Sequence, residues 1–357
     1  MTFLGLEIAL RFLPVSDGLR GGPVSADNPA YRFEPNRHLR WSKGWNFSLV
    51  NEIRTNNYGF ISDVDYDPAG TSPLLAVIGD SFVEAAMVPY DRTTTGILGQ
   101  AVDGRGRVYS FGASGAALSQ YLAYAAYVRN EFNPAGMIIV IAGNDFDESL
   151  MKYRHYPGFH YFVETAEGGL QLRRLDRSVP RWKDFVVSSA VGRYIVMNLE
   201  AGNVVERLEH RMAAFFGNDR SFVGNVDAAA EPGRLMDSRQ AVDAFLHLLP
   251  SMSRLAPHRI ALVIDAPRPE IYSTSRLQAA QTSFFEKMRR YLIDQASAKG
   301  FEIIDLEKVF LLDYQRRGLR FEHPHDYHWN ATGHEVVAEA IRRSSVYHGV
   351  FASTSMQ

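Results

Sequence analysis

The chain predicts an α/β domain built on a five-stranded parallel sheet, with an N-terminal flank and an insertion between the third and fourth strands. Two observations carry this. Five short, continuous runs rich in Val, Ile and Leu are each closed by turn residues, and helical patterns lie between them. Strands alternating with helices imply βαβ units and a sheet covered on both faces. The composition is compatible: 357 residues, 46% hydrophobic and 22% charged, suffice for one large domain or two small ones.

The first segment, residues 1 to 23, opens with MTFLGLEIALRFLPV. It is too short and too charged to span a bilayer, which takes roughly 20 apolar residues, and it lacks the basic start and cleavage site of a signal peptide. It reads as a short amphipathic helix with Glu7 and Arg11 paired at i, i+4, or as the end of a membrane anchor that begins upstream. Residues 24 to 350 then form one domain. Its flank, residues 24 to 70, is polar and aromatic, and RWSKGWNFSL suggests a hairpin around Lys43 and Gly44 beside the sheet.

The expected strands are LLAVIGD (74 to 80), GRVYSFG (106 to 112), MIIVIAG (137 to 143), RIALVID (259 to 265) and FEIIDL (301 to 306). Helical patterns fall at 93 to 103, 118 to 132, 237 to 254, 275 to 299 and 332 to 343. Residues 150 to 235 break this rhythm. There YFVETAEGGLQLR predicts a hairpin turning at Glu167, Gly168 and Gly169, helical stretches follow at 182 to 216, and GNVDAAAEPG (224 to 233) reads as a linker. This insertion is expected to form a wall or lid over a cleft.

Charge and cysteine usage narrow the function classes. A formal net charge of −2 and no long basic run argue against nucleic acid as a partner, because phosphate binding needs clustered Lys and Arg. LRRLDR (172 to 177) reads as a solvated face. The absence of cysteine excludes disulfides, thiolate zinc sites and cysteine nucleophiles. It leaves the compartment open between periplasm or cell envelope and cytoplasm.

Ligands on parallel sheets bind beyond the carboxyl ends of the strands, so chemistry is sought there. The first strand runs into GDSFVE, placing Ser81 just past a strand end, either as a nucleophile or as a helix cap. It is not the G-x-S-x-G elbow, since Val83 stands two residues after the serine. The second strand ends in SFGASGAAL, where Gly112 and Gly115 bracket a turn that either frees a backbone N–H for an oxyanion or only needs small residues. The third ends in AGNDFDES. There the Asn144 side chain can donate to an oxyanion, while Asp145, Asp147 and Glu148 are read to cap or start the next segment.

HPHDYHWN (323 to 330) follows the fifth strand on the same sheet edge. A serine, oxyanion donors and a late Asp/His pair are the components of acyl transfer through a covalent serine intermediate. A metal reading is the rival, since H-x-H-x-D-H is close by eye. The order here is H-x-H-D-x-H, and only His334 and His348 follow to supply further ligands. No metal and no organic cofactor is called for. His323 and His325 are left as loop or pocket residues, and His334 packs or meets solvent at the start of the last helix.

In this order the blocks GDS, SGA with Gly115, GND with Asn144, and a C-terminal Asp and His before N-x-x-G resemble the SGNH hydrolases, also called GDSL-type esterases and lipases. The resemblance spans 74 to 145 and 259 to 343. It implies a flavodoxin-like three-layer α/β/α fold, Ser81 as nucleophile, His328 as base and Asp326 as its orienting acid. It also implies an oxyanion hole from the N–H groups of Ser81 and Gly115 with the Asn144 side chain. Asp80 resembles a structural residue that ties the turn. RTNNYGF and GNDFD look like envelope-associated members often preceded by a membrane helix. The family usually spaces its last pair D-x-x-H, whereas Asp326 and His328 are D-x-H, which is similar to the alginate O-acetyltransferase branch.

The expected activity is therefore removal of an acyl group, O-acetyl on a carbohydrate, from a small-molecule or polysaccharide ester. Transfer of that group to a sugar hydroxyl by the same residues, and a non-catalytic carbohydrate-binding or scaffold protein, are the alternatives. The aromatic stretch YRHYPGFHYF (153 to 162) is read either as core or as the wall of a sugar cleft.

Overall fold

The computed structural model describes residues 2 to 178, 188 to 199, 223, 226, 228 to 324 and 326 to 352. The chain begins with α1 (Thr2–Arg11), in which Arg11 Nε donates to Glu7 Oε1 at 2.9 Å as the i, i+4 spacing predicts. Among the described residues no helix is long and apolar enough to cross a membrane. The expected hairpin follows as β1 (Arg37–Lys43) and β2 (Leu49–Thr55), antiparallel with Lys43 opposite Leu49.

Next come β3 (Leu74–Gly79), the single turn α2 (Ser81–Glu84), α3 (Thr94–Val102), β4 (Arg107–Gly112), α4 (Leu118–Phe132) and β5 (Gly136–Ile141). The insertion opens with the predicted hairpin, β6 (His160–Glu164) and β7 (Leu170–Arg174). The sheet resumes with α5 (Pro232–Ser253), β8 (Ile260–Ile264), α6 (Phe284–Ala298), β9 (Glu302–Asp305) and α7 (Leu306–Arg317). A short hairpin, β10 (Glu322–His323) and β11 (Asp326–Trp329), precedes α8 (Ala331–Arg342) and α9 (Ser345–Phe351).

The five predicted strands make one parallel sheet in the order β4-β3-β5-β8-β9. In this flavodoxin-like order the chain steps outward from β3 to β4 and then crosses back to β5, so a crevice opens at the carboxyl ends of β3 and β5. The two faces are read from alternate side chains. Leu74, Ala76 and Ile78 pack under α4, α5 and α6, while Leu75 and Val77 pack under α3, α7, α8 and α9. Burial of each such side chain contributes about 2 kcal/mol, and because both faces are covered the strands read as continuous apolar runs.

Several expectations are corrected. Pro232 and Gly233, assigned to a linker, begin α5, because proline suits a first helical turn where its missing N–H would have no partner. The helix expected over 275 to 299 is two, Thr274–Ala280 and α6, the second started by Ser283 accepting from Glu286 N at 3.2 Å. Residues 306 to 317, given no element from sequence, form α7, capped by the Asp305 carboxylate. Most of the helical stretch expected at 182 to 216, residues 224, 225 and 227 of the linker, and His325 lie outside the described residues.

Candidate active site

Ser81 opens α2 immediately beyond β3. Asp80 Oδ1 accepts from Phe82 N at 2.9 Å and so closes this turn, the structural part expected of it. Burial pushes the Asp80 carboxyl up to about 6. Gly79 pairs with Gly112 across β3 and β4, and a Cβ on Gly112 would stand 2.7 Å from Glu84 N, so the turn carrying Ser81 rests on bare backbone.

The octet supplies the partner. His328 Nε2 lies 2.7 Å from Ser81 Oγ, and His328 Nδ1 is hydrogen-bonded to Asp326 Oδ1. The carboxylate fixes the tautomer: Nδ1–H donates to Asp326 and Nε2 is left to accept from the serine hydroxyl. Asp326 Oδ1 also accepts His328 N at 2.9 Å, a contact that the two-residue spacing permits on one strand. Burial alone would raise the Asp326 carboxyl, but the His328 bond and the charges of His328 and Lys43 hold it well below the usual carboxylate range.

The rest of the octet anchors this pair. Trp329 is wholly buried and its Nε1 donates to Asp265 Oδ1 at 3.0 Å. Asn330 caps α8 by accepting Gly333 N at 2.9 Å, a contact that contributes about 1 kcal/mol. Arg268 donates to Asp265 and to Tyr327 O at 3.1 Å, tying β11 to the end of β8. His323 Nε2 is buried without a hydrogen-bond partner among the described residues, and burial lowers its pKa. His334 is also buried, with Thr94 N donating to its Nδ1 at 3.1 Å, so of the two placements expected it packs.

The oxyanion candidates come to the same sheet edge. Gly115 has φ +83°, a left-handed backbone that favours glycine, and its N–H makes no hydrogen bond among the described residues. Asn144 lies in the turn Gly143–Asp145 after β5, the strand paired with β3. Its Nδ2 donates to Glu148 Oε2 at 3.0 Å and its Oδ1 is buried without a partner. Asp145 ties this turn by accepting Ala142 N at 2.8 Å and Tyr121 OH at 2.9 Å. Asp147 and Glu148 are not caps. Asp147 takes Arg234 Nε at 2.8 Å, and Glu148 holds both Asn144 and Arg154, whose guanidinium would be 2.9 Å from a Cβ on Gly115.

Beside His328 and Asp326 lies a cleft of about 350 Å3 whose walls also include Tyr31, Trp41, Lys43, Glu84 and Ser114, while Ser81, Gly115 and Asn144 are not part of its lining. The flank expected beside the sheet therefore forms one wall, and Lys43 Nζ reaches Asp326 Oδ2 at 2.9 Å. Glu84 accepts Ser114 N at 2.5 Å, joining the Ser81 turn to the Gly115 loop, and burial pushes its carboxyl up to about 7. The stretch 153 to 162 divides: Phe159, Tyr161 and Phe162 are core, while Tyr153 and Tyr156 are exposed. Another cavity, of about 310 Å3, runs along α4 beside Arg32, Tyr127 and His160 and contains none of the groups above.

Glu84, Arg154 and Arg268 were not singled out from sequence, Lys43 entered only as part of a hairpin turn, and Glu148 only as a cap or start of the next segment. Only Arg268, in the polar run DAPRP directly after a buried strand, carried a local signal, because its place at the active edge was known.

No protein-family model matches the chain, and no curated protein sequence matches it. Among solved structures it is similar to a lipase/acylhydrolase from Enterococcus faecalis, at 10% identity over 76% of this chain and 94% of that one, with a TM-score of 0.37. It is similar to a member of the lipolytic G-D-S-L family from Veillonella parvula, at 9% identity over 75% of this chain and 96% of that one, TM-score 0.38. A two-domain esterase active on acetylated mannans is similar at 10% identity over 81% of this chain and 52% of that one, TM-score 0.38.

Proposed function

We propose that the protein is a serine esterase of the SGNH type that removes a small acyl group, O-acetyl on a carbohydrate, through an acyl-serine intermediate. The observation that carries this reading is the hydrogen-bonded chain from Ser81 through His328 to Asp326 at the carboxyl edge of a parallel sheet. The ordered GDS, Gly115, Asn144 and Asp/His blocks support it independently.

In the first half-reaction Ser81 Oγ bonds to the ester carbonyl carbon while its proton passes to His328 Nε2. The carbonyl electrons move to oxygen, where the N–H groups of Ser81 and Gly115 and the Asn144 amide receive the charge. Collapse breaks the bond to the alcohol, which leaves with the proton from His328. Water then adds to the acyl-serine with His328 as base, and the acid and free Ser81 are released. Asp326 keeps Nδ1–H directed away from the serine and stabilises the imidazolium.

The acetyl choice rests on the family resemblance rather than on any one residue, and the D-x-H ending, similar to the alginate O-acetyltransferase branch, favours the transfer alternative. Ser81→Ala should abolish turnover of an aryl acetate, and a fluorophosphonate should label wild-type Ser81 alone. Full turnover in the variant would sink the mechanism. Acetate release measured with and without a carbohydrate acceptor distinguishes hydrolysis from transfer.

A further inference from the structure

We propose that Lys43 is a positioning residue of this site, a cation delivered by the N-terminal hairpin to the outer oxygen of Asp326. The assignment rests on the Ser81/His328/Asp326 reading above. Asp326 Oδ1 is occupied by both Nδ1 and the backbone N–H of His328, an arrangement that follows from the D-x-H spacing. That leaves Oδ2 on a side chain only 2% exposed, and among the described residues Lys43 Nζ, at 2.9 Å, is its partner. A buried carboxylate oxygen without a donor is costly, so the short spacing creates the need that Lys43 meets.

The cation is held by buried contacts. Ser42, one residue before it, is buried, donates Oγ to Pro14 O at 2.6 Å and accepts Asn198 Nδ2 at 2.7 Å. Asn198 Oδ1 in turn accepts Ser16 N at 3.1 Å, and Asp17 accepts Arg40 N at 2.8 Å. Two chain segments, residues 14 to 17 and the one carrying Asn198, thus fix the end of β1 where it meets Asp326.

The consequence is electrostatic. A carboxylate beside imidazole favours the protonated ring, but His328 must be neutral to take the Ser81 proton. Lys43 offsets the Asp326 charge, so that less of it acts on the ring. Among the described residues, charged or titratable groups facing this pair include Asp80 and Glu84 from α2, His323 from β10, His334 from α8, and Arg268, which reaches Tyr327 O.

The test is the pH profile of kcat/KM for an aryl acetate in the wild type, Lys43→Met, Lys43→Arg and Asn198→Ala. Loss of the cation should move the acid limb upward, on the order of one pH unit. Lys43→Arg should restore the limb, and Asn198→Ala, which touches no reacting group, should move it the same way by less. If Lys43→Met does not fold, the other two variants carry the test through their limbs alone. A limb that stays in place in Lys43→Met and Asn198→Ala, whatever the plateau, or an arginine variant displaced as far as the methionine one, overturns the assignment. A wild type without Ser81-dependent turnover instead sinks the esterase reading, and the role of Lys43 falls with it.

Discussion

Asn144 donates Nδ2 to Glu148 Oε2 at 3.0 Å while its buried Oδ1 has no hydrogen-bond partner among the described residues. Glu148 also holds Arg154, so this carboxylate sets which way the amide faces. With one N–H committed to Glu148, the second remains for a developing oxyanion. Asn144→Ala should lower kcat on an aryl acetate about a hundredfold or more with little change in KM. Glu148→Gln, which keeps an acceptor but can also present a competing donor, should give a smaller loss. Equal KM increases without a kcat effect would remove Asn144 from the oxyanion hole.

Asp326 accepts two N–H groups from His328 and one from Lys43. Substitution by asparagine must turn an amide N–H toward either His328 or Lys43, both donors. Asp326→Asn is therefore expected to lose about a thousandfold or more in kcat, within roughly tenfold of His328→Ala. A loss of only a few fold would mean that Ser81 and His328 work as a dyad.

Glu84 gives a stability prediction with a definite sign. Burial raises its carboxyl from an ordinary 4.5 to about 7, so the folded state binds its proton more tightly than the unfolded state. Its contribution is present below 4.5 and is lost as pH rises through about 7. Glu84→Gln keeps an oxygen for Ser114 N and removes the titration. Relative to wild type, its melting temperature should gain more at pH 8 than at pH 5, read by thermal unfolding at both.

His334 has the opposite dependence. Burial lowers it from 6.5 to about 3, and a protonated ring could not accept Thr94 N. Its contribution is complete above 6.5 and is lost as pH falls toward about 3. His334→Asn, with an oxygen placed to accept the same N–H, should flatten the decline of melting temperature over that interval. A parallel decline in variant and wild type would assign the acid sensitivity elsewhere.

Much of the candidate site was legible because strand ends are legible. Buried parallel strands are continuous apolar runs, so Ser81, Gly115 and Asn144 declared themselves by following such runs, and the late Asp326 and His328 by following the last. The hairpin at Lys43 and Gly44 was legible too, but its destination was not. Likewise Asp147 and Glu148 read as caps from their local position, whereas their partners Arg234 and Arg154 come from the insertion.

Local pattern by itself marked the five strands, most of the helices between them and the candidate residues at the active edge, because burial period and turn chemistry act over a few neighbours. Only the tertiary structure decided which cations meet Asp326 and Asp147: Lys43, 283 residues away in sequence, and Arg234, 87 residues away. Those pairings depend on how separate segments pack over the sheet, and no spacing along the chain encodes the distance between them.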